Sequence, residues 1–130
     1  AKTELVKDNN NPEFTKPIII DYHFEEVQFI RLDVYDADSG DLSRLSKHDY
    51  IGYCEFVLAD LVNQKHCALQ MTIKDKKGKN KKYKKLPCVM IIRSEEIKTN
   101  HDQFVVQFEA RDLEKPSWTS KPNPYLQLYR

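Results

Sequence analysis

The sequence predicts an all-β protein, a sandwich or barrel of about eight short strands. Apolar and polar residues alternate in most of the segments rich in Val, Ile, Phe and Tyr, and this period of two is typical of strands. No segment keeps an apolar stripe of helical period over three turns. The 130 residues suit one ordinary domain, and a hydrophobic fraction of 40% allows a buried core.

The predicted strands follow one another at the short spacings of a sandwich. In chain order they cover residues 3–7, 18–24, 29–35, 50–58, 68–73, 87–93, 103–110 and 125–129, with one helical turn at 59–64. Residues 9–12, Asn-Asn-Asn-Pro, predict a tight connection after the first strand, because Asn tolerates left-handed backbone and Pro fixes φ.

The composition argues against several classes of protein. Three glycines and no Gly-rich phosphate loop argue against a nucleotide-binding crossover fold. The longest apolar runs are far short of the roughly 20 residues that span a bilayer, and the first residues do not resemble a secretory leader. Cys54, Cys67 and Cys88 fit neither a disulfide framework nor a zinc site, so we expect reduced thiols in a cytoplasmic protein. No catalytic arrangement can be assembled without assuming the fold, and we do not expect an enzyme.

The formal net charge of +1 hides a strong division along the chain. Residues 1–73 carry 7 Lys and Arg against 13 Asp and Glu, whereas residues 74–130 carry 14 against 7. An acidic cluster beside a basic one suggests a protein that holds a cation at one place and meets an anionic surface at another. The alternative is two solvated faces without a partner.

A family resemblance becomes visible at an acidic loop. Residues 34–38, Val-Tyr-Asp-Ala-Asp, followed after an insertion by residues 46–52, Ser-Lys-His-Asp-Tyr-Ile-Gly, resemble the third calcium-binding loop of a C2 domain. Upstream, residues 2–4 and 11–14 resemble the strand, the Asn-Pro turn and the aromatic residue of the same family. The resemblance implies a C2-type, eight-stranded antiparallel β-sandwich.

The closer resemblance is to copines, cytosolic proteins with two C2 domains in tandem and a von Willebrand A-type domain. Residues 21–28, the Asp-Ala-Asp loop and residues 91–98 resemble the first C2 domain and its exit. Residues 104–113 and 123–130 resemble the first two strands of the second C2 domain. The resemblance implies that residues 1–98 are the last six strands of one domain and that residues 99–130 begin the next.

Six strands and two strands together make the number of one sandwich. We therefore expect the last two strands to fill the places of the missing pair, because strands of identical topology bury the same apolar faces. They would do so as a circular permutation within one chain or by exchange in a homodimer.

The resemblance to C2 domains also implies a calcium site. Calcium takes six to eight oxygen ligands, which flexible loops rich in carboxylates supply. The implied ligands are Asp36, Asp38 and Asp49, with a Ser46 oxygen as an extra donor. The family's first loop adds two more aspartates, but its places here correspond to Ser117 and Asn123. Three carboxylates in place of five predict weak calcium binding, because affinity follows ligand charge.

Two further features point to a lipid surface. A run of eight lysines in twelve residues attracts an anionic leaflet, each by about 1 kcal/mol before screening. These lysines are Lys74, Lys76, Lys77, Lys79, Lys81, Lys82, Lys84 and Lys85. Leu42 and Leu45, with Trp118, are candidates for shallow insertion. Nucleic acid is the lesser alternative partner because no base-reading module accompanies the lysines, and a solvated, mobile hairpin is the alternative without a ligand.

The sequence therefore predicts a calcium-dependent, phospholipid-binding C2 module of a copine-like protein. Bound Ca²⁺ would neutralise the acidic loop and bridge to phosphate, while the lysines would add a constant attraction. We expect a cytoplasmic protein that becomes peripheral at the plasma membrane when calcium rises. The second interpretation is a calcium-independent protein–protein interaction module, which the loss of the two first-loop aspartates favours.

Overall fold

The structure is a computed structural model that describes residues 1–38, 40–98, 102–114 and 120–129, with the backbone alone at 98, 102 and 103. In these ranges the long strands are β1 (Glu13–Asp21), β2 (Phe29–Asp36), β3 (Asp49–Val57), β4 (Ala68–Thr72), β7 (Val89–Lys98), β8 (Asp102–Arg111) and β9 (Pro124–Tyr129). Two short strands, β5 (Lys82–Tyr83) and β6 (Leu86–Pro87), form a separate hairpin, and α1 (Leu58–Val62) is a single short helix. None of the described helices is long and apolar enough to cross a membrane.

The long strands form two antiparallel sheets with the orders β1-β8-β7-β4 and β3-β2-β9. Residues 1–6 run along the free side of β9, where the Thr3 N–H donates to the Leu126 carbonyl at 3.1 Å. This segment supplies an eighth place in the sandwich, although only Lys2 makes a ladder bridge, to Gln127. The prediction of an all-β, antiparallel sandwich is confirmed.

The last two strands complete the sandwich within the same chain. β8 lies between β1 and β7, and β9 pairs with β2. Phe104, Val106, Phe108 and Ala110 alternate along β8 and point into the core, as the two-residue period requires. The structure therefore has the permuted form of closure. The domain boundary between residues 98 and 99 stays a prediction, because it concerns the origin of the two pieces.

The core lies between the sheets and is built from the inward positions of each strand. Its fully buried side chains include Leu32 and Val34 of β2, Met90 and Ile92 of β7, and Leu126 of β9. Each such side chain stabilises the fold by about 1.5–3 kcal/mol relative to an exposed one. This face-to-face packing holds the strand ends, and the loops that join them, in fixed positions.

Several element boundaries differ from the sequence prediction. β1 starts at Glu13, before the predicted start, because an irregularity between Phe14 and Ile18 breaks the alternation of its side chains. The Glu4 carboxylate supports this irregularity by accepting the N–H of Thr15 and Lys16. The predicted first strand is reduced to one bridge. A hairpin in the lysine run was one of the alternatives, but its strands β5 and β6 were not predicted, because charged residues mask their pattern.

Two carboxylates are buried on the outer faces of the sheets. Asp33 is 6% exposed in the central strand β2 and accepts a hydrogen bond from the Tyr50 hydroxyl. Glu109 of β8 accepts hydrogen bonds from Arg93 at 2.9 Å and Arg111 at 2.6 Å. Burial opposes ionisation of Glu109, but these two bonds outweigh it and lower its pKa below the ordinary 4.5.

Candidate functional site

The acidic loop lies at one end of the three-stranded sheet. Asp36 is the last residue of the central strand β2, and its register partners are Asp49 at the start of β3 and Pro124 at the start of β9. Asp36 is only 3% exposed because it has a strand on each side. Two of the three predicted carboxylate ligands are therefore direct cross-strand neighbours.

The surroundings of the Asp36 carboxylate disfavour its ionised form. Burial raises its pKa, and the negative charges of Asp38 and Asp49 raise it further. The backbone N–H of Asn123 donates to Asp36 Oδ1 and acts in the opposite direction, as does His48. Three carboxylates that repel one another at one strand end attract a cation more strongly than separated carboxylates do.

His48 organises the inserted loop, a role that the sequence analysis missed. The Asp38 N–H donates to His48 Nδ1 at 3.3 Å, and Nε2 lies 3.0 Å from the Asp41 carbonyl. Through these two ring nitrogens the imidazole joins the two sides of the loop. The ring is 7% exposed and meets the edge of Tyr125 at 5.6 Å. The sequence feature that could have indicated this role is the position of His48 directly before Asp49.

The predicted ligands divide between two clefts that meet at Asp49. One cleft, of about 380 Å³, is lined by Asp36 and Asp49 together with Lys76, Lys81 and Glu114. The other, of about 670 Å³, has Ser46 and Asp49 in its wall. Asp38 is exposed and lines neither cleft.

The donor chemistry of this loop suits a hard cation, because carboxylate and hydroxyl oxygens are the ligands that calcium prefers. Across the described ranges, however, no three Asp, Glu, His or Cys side chains are grouped so that they could hold one metal ion. Ser117, one of the two residues at the places of the missing aspartates, lies outside the described residues. The ligand set thus stays a prediction: Asp49 shares one cleft with Asp36 and the other with Ser46, and Asp38 lines neither.

The lysine run is folded into two turns, and its mobility stays a prediction. In the first turn, Asp75 Oδ1 accepts the N–H of Lys77 at 2.8 Å and of Lys79 at 2.9 Å, and Gly78 has a φ of +76°. The second turn is the tip of the β5–β6 hairpin, formed by Lys84 and Lys85. Hydrogen bonds within each turn hold the ammonium groups on short, ordered backbone.

The first turn is joined to β3 beside the acidic loop. Lys74 and Tyr53 exchange two backbone hydrogen bonds, at 2.7 and 2.8 Å. Gly52 makes this approach feasible, because a Cβ at that position would lie 2.5 Å from the Lys74 carbonyl oxygen and 2.6 Å from Ile73 Cγ2. Tertiary pairing therefore brings the start of the basic run to the acidic end of the sheet.

Several of the lysines already have partners. Lys81 forms an ion pair with Glu114, and the Lys76 ammonium lies 5.3 Å from the centre of the Tyr50 ring. Lys84 lies over Tyr83 at 5.4 Å. Lys74, Lys77, Lys79, Lys82 and Lys85 are exposed. The exposed groups are the ones free to meet an anionic surface without first breaking an internal contact.

The candidate insertion residues are only partly exposed. Leu42 is half-buried and its carbonyl accepts the Lys2 ammonium, while Leu45 is half-buried in the wall of the larger cleft. Trp118 lies outside the described residues. Insertion of these side chains into lipid stays a prediction.

Similarity to known proteins agrees with this geometry. The family profile for the C2 domain matches residues 1–73. Over its whole length the chain is 37% identical to Nicotinic receptor-associated protein 1 of Caenorhabditis elegans and 36% identical to the protein of that name from Caenorhabditis briggsae. It spans 21% of the length of each of these curated relatives. No solved structure matches it. Because the C2 profile covers more than half of its residues, the chain belongs to the C2 domain family.

Proposed function

We propose that this chain is a calcium-dependent, phospholipid-binding C2 module of a copine-like protein, non-catalytic and peripheral at membranes. The observation that carries the proposal is the composition of the smaller cleft. Asp36 and Asp49 lie in the same cleft as Lys76 and Lys81, and Lys81 is ion-paired there with Glu114, a contact that a phosphate would have to displace. Carboxylates for a divalent cation and ammonium groups for a phosphate thus face one space of about 380 Å³, the combination that a cation-bridged phosphate headgroup requires.

Each predicted residue has a separate part in this proposal. Asp36 and Asp49 would hold the ion, Asp38 would move in from its exposed position, and Ser46 would add an oxygen. The ion supplies positive charge that cancels their repulsion and attracts phosphate oxygens. The lysines of the run then meet neighbouring headgroups, each adding about 1 kcal/mol before screening.

The copine assignment rests on coverage as well as on motifs. The similarity to the two Nicotinic receptor-associated proteins covers the whole chain, including the residues beyond the C2 profile match. Both pieces of the chain therefore align with one and the same protein. In a copine-like protein we propose that calcium entry moves this module from the cytoplasm to the plasma membrane.

Vesicle sedimentation tests the proposal. The chain should bind vesicles of phosphatidylcholine and phosphatidylserine when calcium is present and release them in chelator. Asp36→Asn and Asp49→Asn should each remove the calcium response, whereas Glu96→Gln, a matched neutralisation on β7, should keep it. Binding that is equal with calcium and with chelator would refute the calcium dependence.

A second pair of variants tests the basic wall of the cleft. Lys76→Gln combined with Lys81→Gln should weaken binding by about tenfold and reduce its salt dependence. Lys65→Gln combined with Lys16→Gln, two exposed changes that line neither cleft, should have little effect. Equal losses in both proteins would mean that only net charge matters.

One observation favours a calcium-independent protein-interaction module as the second candidate. Asn123 stands where the family's first loop would add a carboxylate, and its amide Nδ2 lies 3.4 Å from the Ala37 carbonyl while its N–H occupies Asp36 Oδ1. An uncharged residue there lowers the attraction for calcium. The relatives are named as nicotinic receptor-associated proteins, so a nicotinic receptor is the partner class to test. Unaltered partner binding in chelator would support this candidate.

A further inference from the structure

An apolar groove lies at the end of the three-stranded sheet that is remote from the acidic loop. It has a volume of about 570 Å³, and its walls come from the start of β2, the end of β3 and the end of β9. The main apolar contributors are Phe29, Val57 and Tyr129. Along the eight residues of β2 the groove is about 23 Å from Asp36, at roughly 3.3 Å per residue.

The groove opens onto exposed apolar side chains. Phe29 is 70% exposed and Tyr129 is 42% exposed. The loop that leads into Phe29 adds Phe24, 83% exposed, and Val27, 70% exposed. Large apolar side chains gathered at one end of a soluble fold indicate an interaction surface more often than scattered ones do.

The loop that carries Phe24 and Val27 is closed by the Gln28 side chain. Its Oε1 accepts the His23 N–H at 2.8 Å, and its Nε2 donates to the Asp21 carbonyl at 2.9 Å. The backbone carbonyl of Gln28 also accepts the Leu58 N–H at the start of α1. Both the loop and the strands that line the groove are hydrogen-bonded, so the surface is formed before any partner arrives.

The rim of the groove is acidic. Asp60 and Glu55 line it, and Glu25 and Glu26 belong to the loop that leads into Phe29. From the described residues, no hydrogen bond or ion pair reaches the side chains of Asp60, Glu25 or Glu26. Among the described residues that line the groove, the one cation is Arg31, which is already paired with Asp33 at 3.1 Å and Glu55 at 2.9 Å. The charged side chains among the described lining residues are therefore one guanidinium and two carboxylates, Glu55 and Asp60, which leaves one negative charge in excess.

We infer that this groove binds a basic segment of another protein, one that carries large apolar side chains among lysines or arginines. The apolar floor would take up the side chains, and the unpaired carboxylates of the rim would take up the charges. An anionic membrane does not fit this surface, because the rim would repel it. Since the groove lies a strand length away from the proposed lipid site, a module docked on a membrane would still present it.

The groove is small in comparison with a standard protein–protein interface, so we expect micromolar affinity. The contribution of Phe29 should dominate, because a large aromatic side chain at the centre of a contact carries much of its binding energy. The inference needs neither calcium nor lipid, and its test can succeed or fail independently of the proposed function.

The test is a titration of the ¹⁵N-labelled chain, in chelator and without lipid, with a synthetic peptide of lysines interspersed with leucines. The amide signals of Phe29, Val57 and Tyr129 should shift. Two control peptides have glutamates in place of the lysines or serines in place of the leucines, and both should bind at least about tenfold more weakly.

Matched variants locate the contact. Phe29→Lys should weaken peptide binding by about tenfold or more, whereas Ile19→Lys, which changes a side chain 59% exposed on β1, should leave it within about twofold. Asp60→Asn combined with Glu26→Gln should weaken binding and reduce its dependence on salt. Both positions are exposed, so these variants should fold.

Four outcomes would overturn the inference. Shifts confined to other surfaces, or equal binding of the glutamate peptide, would exclude a basic segment as the partner of this groove. Shifts at the groove that grow with protein concentration alone would make a second copy of the chain the occupant. Loss of calcium-dependent vesicle binding in Phe29→Lys, with Ile19→Lys unaffected, would assign the groove to lipid.

Discussion

The tip of the β5–β6 hairpin should become more stable when its two lysines are replaced by Asn-Gly. Lys82 pairs with Pro87 and Tyr83 with Leu86, so Lys84 and Lys85 form a two-residue turn. Their φ values are +48° and +72°. A hairpin turn with both central residues at positive φ is a type I′ turn, for which Asn-Gly is the favoured sequence.

The magnitude follows from these two angles. A residue other than Gly pays roughly 1–2 kcal/mol for left-handed backbone, and Asn pays less than Lys. Gly at position 85 and Asn at position 84 should together recover about 2 kcal/mol. The greater conformational freedom of Gly in the unfolded chain offsets about 0.5–1 kcal/mol of this gain in stability. The net gain is about 1 kcal/mol, or about 3–5 °C in melting temperature for a domain of this size.

Urea and thermal unfolding followed by circular dichroism would measure the gain for Lys84→Asn with Lys85→Gly. The matched control is Lys76→Asn with Lys77→Gly, which removes the same charge from residues without positive φ. If the control gains as much as the hairpin variant, relief of charge repulsion is the cause and the backbone argument is wrong. No gain in the hairpin variant would also refute it.

The same variant should bind anionic vesicles more weakly. Two lysines near the leaflet contribute about 2 kcal/mol before screening, so we expect a loss of about tenfold at physiological salt. Greater stability with weaker binding would indicate that left-handed strain is retained at this tip to present two ammonium groups. Unchanged vesicle binding would exclude the tip from the lipid contact.

Three other substitutions have defined signs. Asp36→Asn should raise the melting temperature at pH 7 in chelator. The pKa of Asp36 is raised, so its ionised form destabilises the fold as the pH rises through that pKa. Calorimetry should show that the same substitution removes calcium binding. Gly52→Ala should cost about 1–3 kcal/mol in urea unfolding, because its Cβ would meet the Lys74 carbonyl at 2.5 Å. Glu109→Gln should cost about 1–3 kcal/mol at pH 7. Because the pKa of Glu109 is lowered, the difference from the unsubstituted chain should shrink as the pH falls below about 4.5, and a constant difference would contradict the role of its charge.

The strands could be predicted wherever one face of each strand meets the core. In β2, β8 and β9 every second residue is apolar and packs into the core, so the period of two is visible in the sequence even where an outward residue such as Asp33 is also buried. The start of β1 could not be predicted, because the irregularity before Ile18 places Thr15, Lys16 and Pro17 all in solvent. There the strand depends on a carboxylate from Glu4, a tertiary contact without a local pattern.

The acidic loop was predictable in position but not in detail. Asp36 ends β2 and Asp49 begins β3. Because these adjacent strands are antiparallel, the two residues must meet at one end of the sheet. The orientation of Asp38 depends instead on the ring of His48, whose place is set by packing on Tyr125 from β9. A residue held by a strand that is distant in sequence cannot be inferred from the loop alone.

The division of charge along the chain suggested two separate electrostatic regions, and the fold joins them at one cleft. Lys76 and Lys81 come from the basic half, yet they share that cleft with Asp36 and Asp49 from the acidic half. The ammonium groups lower the attraction of the carboxylates for a free cation. A phosphate bound to the same ammonium groups would restore that attraction. By linkage the proposed calcium and phosphate sites must then strengthen each other equally, so weak calcium binding in solution is compatible with a strong response at an anionic surface.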